Sequence, residues 1–268
     1  MPYITVNNIQ LYYETLGTGE PLVLLHGAQG DSSSFNNLMK PLSKRFTVIN
    51  FDQRGSGRSD KPDIQYTMEL LADDTANLLE QLGFSSAHVF GVSLGGMIAQ
   101  SLCIRHPKLV KTLTLGCTLP GGWENAVKKD VPSDAAIAFS NDDKIFEIDR
   151  AKALANIAYA PGYIEQHTDI IEKLVRIRKE NPVDKTGFSR RLEMTELYQG
   201  FDNLKKIKCP CLVVAGRHDQ LLDYKNSYVI ADEIGRACLF VLANSGHVFW
   251  DEELDLFLSV YFKFIEIN

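Results

Sequence analysis

The strongest constraint on this chain is a series of short, continuous apolar runs, each the length of one strand. They are Pro21–Leu25, Phe46–Phe51, Ala87–Val92, Val110–Gly116, Cys211–Gly216 and Cys238–Leu242. A strand with one wet face alternates apolar and polar residues, whereas a run that is apolar throughout is buried on both faces, as in a parallel sheet covered by helices. Helical patterns fall between the runs. Thr67–Leu82 carries Leu71, Thr75, Leu78 and Leu82 on one stripe, with Thr67 as N-cap and Gly83 as stop. Leu94–His106 is a second helix, ended by Pro107, and Glu252–Ile265 a third, presenting Leu254, Phe257, Leu258, Tyr261, Phe262 and Ile265 on one face. Ile4–Leu16 alternates around Asn7-Asn8, a turn pair, and reads as an antiparallel hairpin. The predicted fold is α/β: a mostly parallel, doubly wound sheet that begins with a hairpin.

One stretch departs from the alternation. Residues 120–195 hold no strand pattern. They open with Pro120-Gly121-Gly122 and carry helical spacing such as Ile170, Ile171, Leu174, Val175 and Ile177. We read them as a helical cap inserted into a core formed by residues 1–119 and 196–268. An insertion there can lie over the carboxyl edge of the sheet, where open α/β folds bind ligands.

Charge and cysteine usage exclude several classes. The 268 residues carry 28 basic and 34 acidic side chains, a net charge of −6. That balance lacks the basic footprint of a nucleic-acid binder and does not favour anionic lipid. No apolar run approaches a membrane span, and Met1–Val6 shows no secretory pattern. The five cysteines, Cys103, Cys117, Cys209, Cys211 and Cys238, are odd in number and lie in apolar runs, which suits buried thiols in a reducing cytoplasm. Cys209-Pro-Cys211 lacks further ligands at zinc-like spacing, so no metal is expected.

Chemistry concentrates at the ends of the strand runs. Gly91-Val92-Ser93-Leu94-Gly95-Gly96 is a G-x-S-x-G between a strand and a helix, the context in which a sharp turn projects the serine as a nucleophile. Serine needs a general base. Of six histidines, His247 in Asn244-Ser245-Gly246-His247 follows the last strand and shares the Ser93 edge. The base needs a carboxylate partner. Asp219, in Gly216-Arg217-His218-Asp219, stands just past another strand, and Asp223 and Asp251 are its rivals. The backbone N–H groups of Leu94, at a helix start, and of Ala28, in His26-Gly27-Ala28-Gln29-Gly30, are candidate oxyanion donors. His26 reads as a structural residue of that loop.

These segments, together with Asp52-Gln53-Arg54-Gly55-Ser56-Gly57-Arg58-Ser59, resemble the α/β-hydrolase superfamily in its form with a helical cap, over essentially the whole chain. The resemblance implies Ser93 as nucleophile, Asp219 as acid, His247 as base, and the Ala28 and Leu94 amides as oxyanion hole. It implies no cofactor. Epoxide hydrolases and haloalkane dehalogenases have aspartate at the nucleophile position, so Ser93 argues against both. Many C–C hydrolases have tryptophan after the histidine, where this chain has Val248. Cofactor-free haloperoxidases often have methionine where Leu94 stands. The expected function is a serine hydrolase acting on small to medium, largely apolar esters or lactones through an acyl-enzyme. Phe139, Tyr159 and Tyr163 of the cap are candidate pocket residues. Acyl transfer, perhydrolysis or C–C cleavage on the same residues is the second reading. A non-catalytic small-molecule receptor is the third.

Overall fold

The computed structural model describes residues 2–140, 142 and 144–268. Strands β1 (Tyr3–Val6) and β2 (Ile9–Leu16) form the predicted hairpin. Asn7 and Asn8 at its tip have φ of 44° and 63°, the left-handed pair that a two-residue hairpin turn requires. β3 (Glu20–Leu25), β4 (Phe46–Phe51), β5 (Ala87–Val92), β6 (Val110–Gly116), β7 (Cys211–Gly216) and β8 (Ala237–Leu242) match the six apolar runs. The sheet order is β1-β2-β4-β3-β5-β6-β7-β8, antiparallel at β1/β2 and β2/β4 and parallel elsewhere.

Alternation along β3 shows why these runs are apolar throughout. Val23 and Leu25 enter one core, with α2 (Met68–Gln81) and α3 (Leu94–Arg105). Leu22 and Leu24 enter the other, with α1 (Asn36–Leu42) and the C-terminal helix. All four β3 residues are fully buried. Thr67 caps α2, its side chain accepting from Leu70 N–H, and Gly83 follows with φ 85°.

Between β6 and β7 lie α4 (Asp134–Ala138), α5 (Glu147–Ala158), α6 (Tyr163–Gln166), α7 (Ile170–Glu180) and α8 (Lys185–Leu197). After β7 come α9 (Asn226–Ile234), then β8, α10 (Phe249–Glu252) and α11 (Leu254–Glu266). Among the described residues no helix is long and apolar enough to cross a membrane.

Three expectations need correction. The last helix does not run unbroken from Glu252. The chain leaves helical geometry at Glu253 (φ −126°, ψ 51°), and α11 starts afresh at Leu254. Phe264 is buried on α11, whereas Leu254, Phe262 and Ile265 pack only at the core margin. The cysteines are not uniformly buried: Cys238 is exposed and Cys209 is intermediate. Cys209 also lies before β7 begins, and its sulfur stands 3.4 Å from that of Cys103.

Candidate active site

The chain rises to one side of β3 to form β4 and returns to the other side to form β5, so the carboxyl ends of β3 and β5 open a crevice. Ser93 stands there between β5 and α3, with φ 56° and ψ −122°, a strained conformation for a residue with a side chain. Its N–H donates to Gly116 O at 2.9 Å, and Thr118 Oγ1 donates to Ser93 O at 2.6 Å. The flanking glycines are a steric necessity. A Cβ on Gly91 would lie 2.3 Å from Gly95 O, and one on Gly95 would lie 2.0 Å from Leu25 O.

His247 follows β8. Its backbone N–H donates to Ala158 O at the end of α5 (2.7 Å), which ties this loop to the helical insertion. Its Nδ1 donates to Asp219 Oδ2 at 2.7 Å, leaving Nε2 without a hydrogen bond among the described residues. The other oxygen of Asp219 accepts from Leu221 N (2.8 Å) and Leu222 N (3.0 Å), so the carboxylate is fixed from two sides and buried. Glu252 braces the same loop, accepting from Gly246 N (2.6 Å) and Ala160 N (2.7 Å). Burial pushes its carboxyl up to about 7, against the pull of those two backbone donors.

Of the rivals to Asp219, neither meets His247. Asp223 accepts from Lys225 N at 2.9 Å. Asp251 accepts from Tyr159 Oη (2.8 Å) and pairs with Lys173 (3.3 Å). Cys117, just past β6, completes a buried set with Asp219 and His247 whose ligand atoms lie within 4.8 Å of one another. A metal ion could be held there only if His247 Nδ1 released Asp219, and burial raises the Cys117 thiol further from the thiolate a metal needs.

The loop after β3 is built around His26, which is fully buried. His26 Nε2 accepts from Gln53 N (3.2 Å), and Gln53 Nε2 donates to His26 O (2.9 Å). Burial and the nearby Arg191 guanidinium hold His26 neutral, its pKa lowered to about 3. Arg191, on α8, donates to Gly27 O at 2.6 Å and approaches Gly30 O at 3.5 Å. It is 2% exposed and has no carboxylate within ion-pairing distance among the described residues. Between those two carbonyls lies Ala28. Its N–H, like that of Leu94, makes no backbone hydrogen bond among the described residues.

A cavity of about 210 Å³ brings Ser93, His247 and Ala28 together. Phe139 and Tyr159 line it. Tyr163 does not: it stacks behind Tyr159 (5.4 Å, 8°) and donates to Asp251 O. Trp250 lines the wall instead, its Nε1 donating to Ser34 O at 3.1 Å.

This arrangement, a strained serine that shares a cavity with a histidine held by a buried carboxylate at the crevice of a mostly parallel sheet, accompanies a match to the alpha/beta hydrolase fold family over residues 20–254. The chain belongs to the α/β-hydrolase family. A proline iminopeptidase of Lactobacillus delbrueckii subsp. lactis is 30% identical, covering 92% of this chain and 91% of its own. A 2-hydroxymuconate semialdehyde hydrolase of Pseudomonas sp. (strain CF600) is 28% identical over 93% of this chain and 88% of its own. Among solved structures, the enol-lactonase of Burkholderia xenovorans LB400 superposes with a TM-score of 0.84 at 25% identity, covering 99% of this α/β-hydrolase and 100% of that chain. These relatives support hydrolytic activity and differ in the bond they break. Sequence reasoning passed over Arg191, Arg178, Lys173, Glu252 and Trp250. Each is an ordinary residue of a helix or loop with no motif around it, and its position at the site comes from packing alone.

Proposed function

We propose that this α/β-hydrolase is a serine hydrolase of carboxylic esters or lactones. The observation that carries the reading is the 2.7 Å bond from His247 Nδ1 to the buried Asp219, which leaves Nε2 as the base for Ser93 in the same cavity. Ser93 Oγ attacks the carbonyl carbon while His247 Nε2 takes its proton, and Asp219 stabilises the imidazolium. The N–H groups of Ala28 and Leu94 receive the oxyanion. Collapse expels the alcohol oxygen, protonated by His247, and leaves an acyl group on Ser93. Water, losing its proton to His247, then releases the acid. In a lactone the expelled alcohol stays attached to the acyl chain.

Residues 120–195 act as the cap that closes the cavity, with Phe139, Tyr159 and Trp250 giving it an apolar wall. A fluorophosphonate probe followed by peptide mapping tests this. One adduct on Ser93, lost in His247→Ala, is the expected result. Ester turnover by Ser93→Ala at the wild-type rate refutes it. A 4-nitrophenyl ester series then measures the acyl length that the cavity admits.

A further inference from the structure

The Ser93 cavity has a neighbour. A second cavity of about 360 Å³ lies inside the helical insertion, and Gln29, Leu154, Leu174 and Arg178 line both. The second cavity is basic: Arg150 and Lys179 also face it, and Glu147 is its acid, 3.6 Å from Arg150. Arg178 thus stands in the wall between a cavity that holds Ser93 and one rich in cations.

The hydrogen bonds of Arg178 are unusual for a half-buried guanidinium. Nη1 donates to Gln29 O (3.0 Å) and Nη2 to Gln29 Oε1 (2.7 Å), both neutral acceptors. No carboxylate of the described residues lies within 4.0 Å of it. The other charged side chains at the first cavity have partners of their own, and Asp31 acts on Arg178 only through space. Lys173 pairs with Asp251 at 3.3 Å, and Asp31 Oδ1 accepts from Ser33 N at 2.8 Å. A guanidinium offers five N–H donors in a planar fork that matches the two oxygens of a carboxylate. Arg178 therefore has donors to spare and, among the described residues, no carboxylate in direct contact; Asp31 and Glu147 act on it only at longer range. It stands at the rim of the cavity where Ser93 sits.

We propose that Arg178 reads an anionic group of the substrate, so that the preferred esters or lactones carry a carboxylate on a short chain extending from the scissile carbonyl toward the second cavity. This rests on the hydrolase reading and deepens it. The apolar wall holds the connecting chain, and the guanidinium takes its charged end.

The test pairs mono-4-nitrophenyl esters of dicarboxylic acids, succinate to adipate, with the neutral 4-nitrophenyl esters of equal chain length. At least one diacid ester should be preferred over its neutral partner by wild type. In Arg178→Gln the ratio of its kcat/KM to that of the neutral partner should fall about 10- to 100-fold. In Ser93→Ala, the matching free dicarboxylate should raise the melting temperature, and adding Arg178→Gln should abolish that shift. Equal losses for charged and neutral esters would overturn the proposal, leaving Arg178 as a brace for Gln29. So would the absence of any diacid preference in wild type. If no ester turns over and no fluorophosphonate adduct forms on Ser93, the hydrolase reading itself has failed; the dicarboxylate shift still decides whether Arg178 binds an anion.

Discussion

Replacing Arg191 by methionine should damage catalysis far more than stability. Burial pulls the Arg191 guanidinium well below its usual value, down to about 10, so the fold carries this charge at a cost of about 3 kcal/mol. Against that stand a charge-assisted bond to Gly27 O at 2.6 Å and a marginal one to Gly30 O at 3.5 Å. Such a bond contributes about 1.5–3 kcal/mol, and orphaning the Gly27 carbonyl costs about 1–3 kcal/mol. These contributions nearly cancel, and methionine fills most of the same volume. The net change in stability should be within about 2 kcal/mol, a few degrees in melting temperature for a chain of this size. The effect on rate is not offset. Arg191 holds the carbonyls on either side of Ala28, whose N–H we assign to the oxyanion. A displacement of about 1 Å there costs on the order of 100-fold, and full loss of one donor about 100- to 1,000-fold. With a neutral 4-nitrophenyl ester, Arg191→Met should lower kcat about 100-fold and leave KM within about threefold. Arg191→Lys, which can reach Gly27 O but cannot span to Gly30, should fall between. The reasoning is refuted if Arg191→Met keeps kcat within threefold of wild type. It is refuted equally if the variant melts more than about 10 °C lower while its folded fraction turns over normally, since the contact would then be only a structural tie.

Other substitutions probe the remaining parts. Asp219→Asn should lower kcat by about 1,000- to 10,000-fold by presenting the wrong imidazole tautomer, whereas Asp223→Asn should leave steady-state kinetics within about threefold; equal effects would remove Asp219 from its assigned role. Gly95→Ala should fail to fold or melt far below wild type, because its Cβ would lie 2.0 Å from Leu25 O; a normal melting temperature with full activity contradicts the geometry. Folding raises the Glu252 pKa from 4.5 to about 7, so the native state keeps a proton that the unfolded chain has lost. Its contribution to stability is therefore full below about 4.5 and declines as pH rises through about 7. Thermal melts from pH 4.5 to 7.5 should show that decline in wild type and a shallower one in Glu252→Gln; coincident slopes would show that Glu252 does not titrate there.

Much of this protein was legible in one dimension because it obeys local rules. A strand buried on both faces must be apolar along its whole length, so β3 to β7 announced themselves; β8 reads the same way but lies at the sheet edge and is only partly buried. Asn7-Asn8 and Thr67 are local devices, a left-handed turn and an N-cap, and both stand where their chemistry puts them. Ser93, Asp219 and His247 were legible for a related reason. Residues just past strand ends in a parallel sheet share one edge, so three distant segments could be assigned to one site before any coordinate was known. The boundary between α10 and α11 was not legible, because the apolar stripe continues through a break in the backbone.

What the fold alone decided is which side chains surround that edge. Tyr163 and Tyr159 are equivalent in the sequence, but stacking puts Tyr159 on the cavity and Tyr163 behind it. Arg190 and Arg191 are adjacent on α8, yet Arg190 pairs with Asp63 at the surface while Arg191 turns inward to the loop around Ala28. Arg178 is one of several cations on an amphipathic helix, and only the packing of α7 against Gln29 leaves it facing a cavity with no carboxylate in contact among the described residues. The sequence by itself determined the sheet and which residues stand at its edge, because strand burial and turn geometry act over a few residues. Pocket shape and charge depend on which faces of distant helices meet, and that is settled only when the whole chain packs.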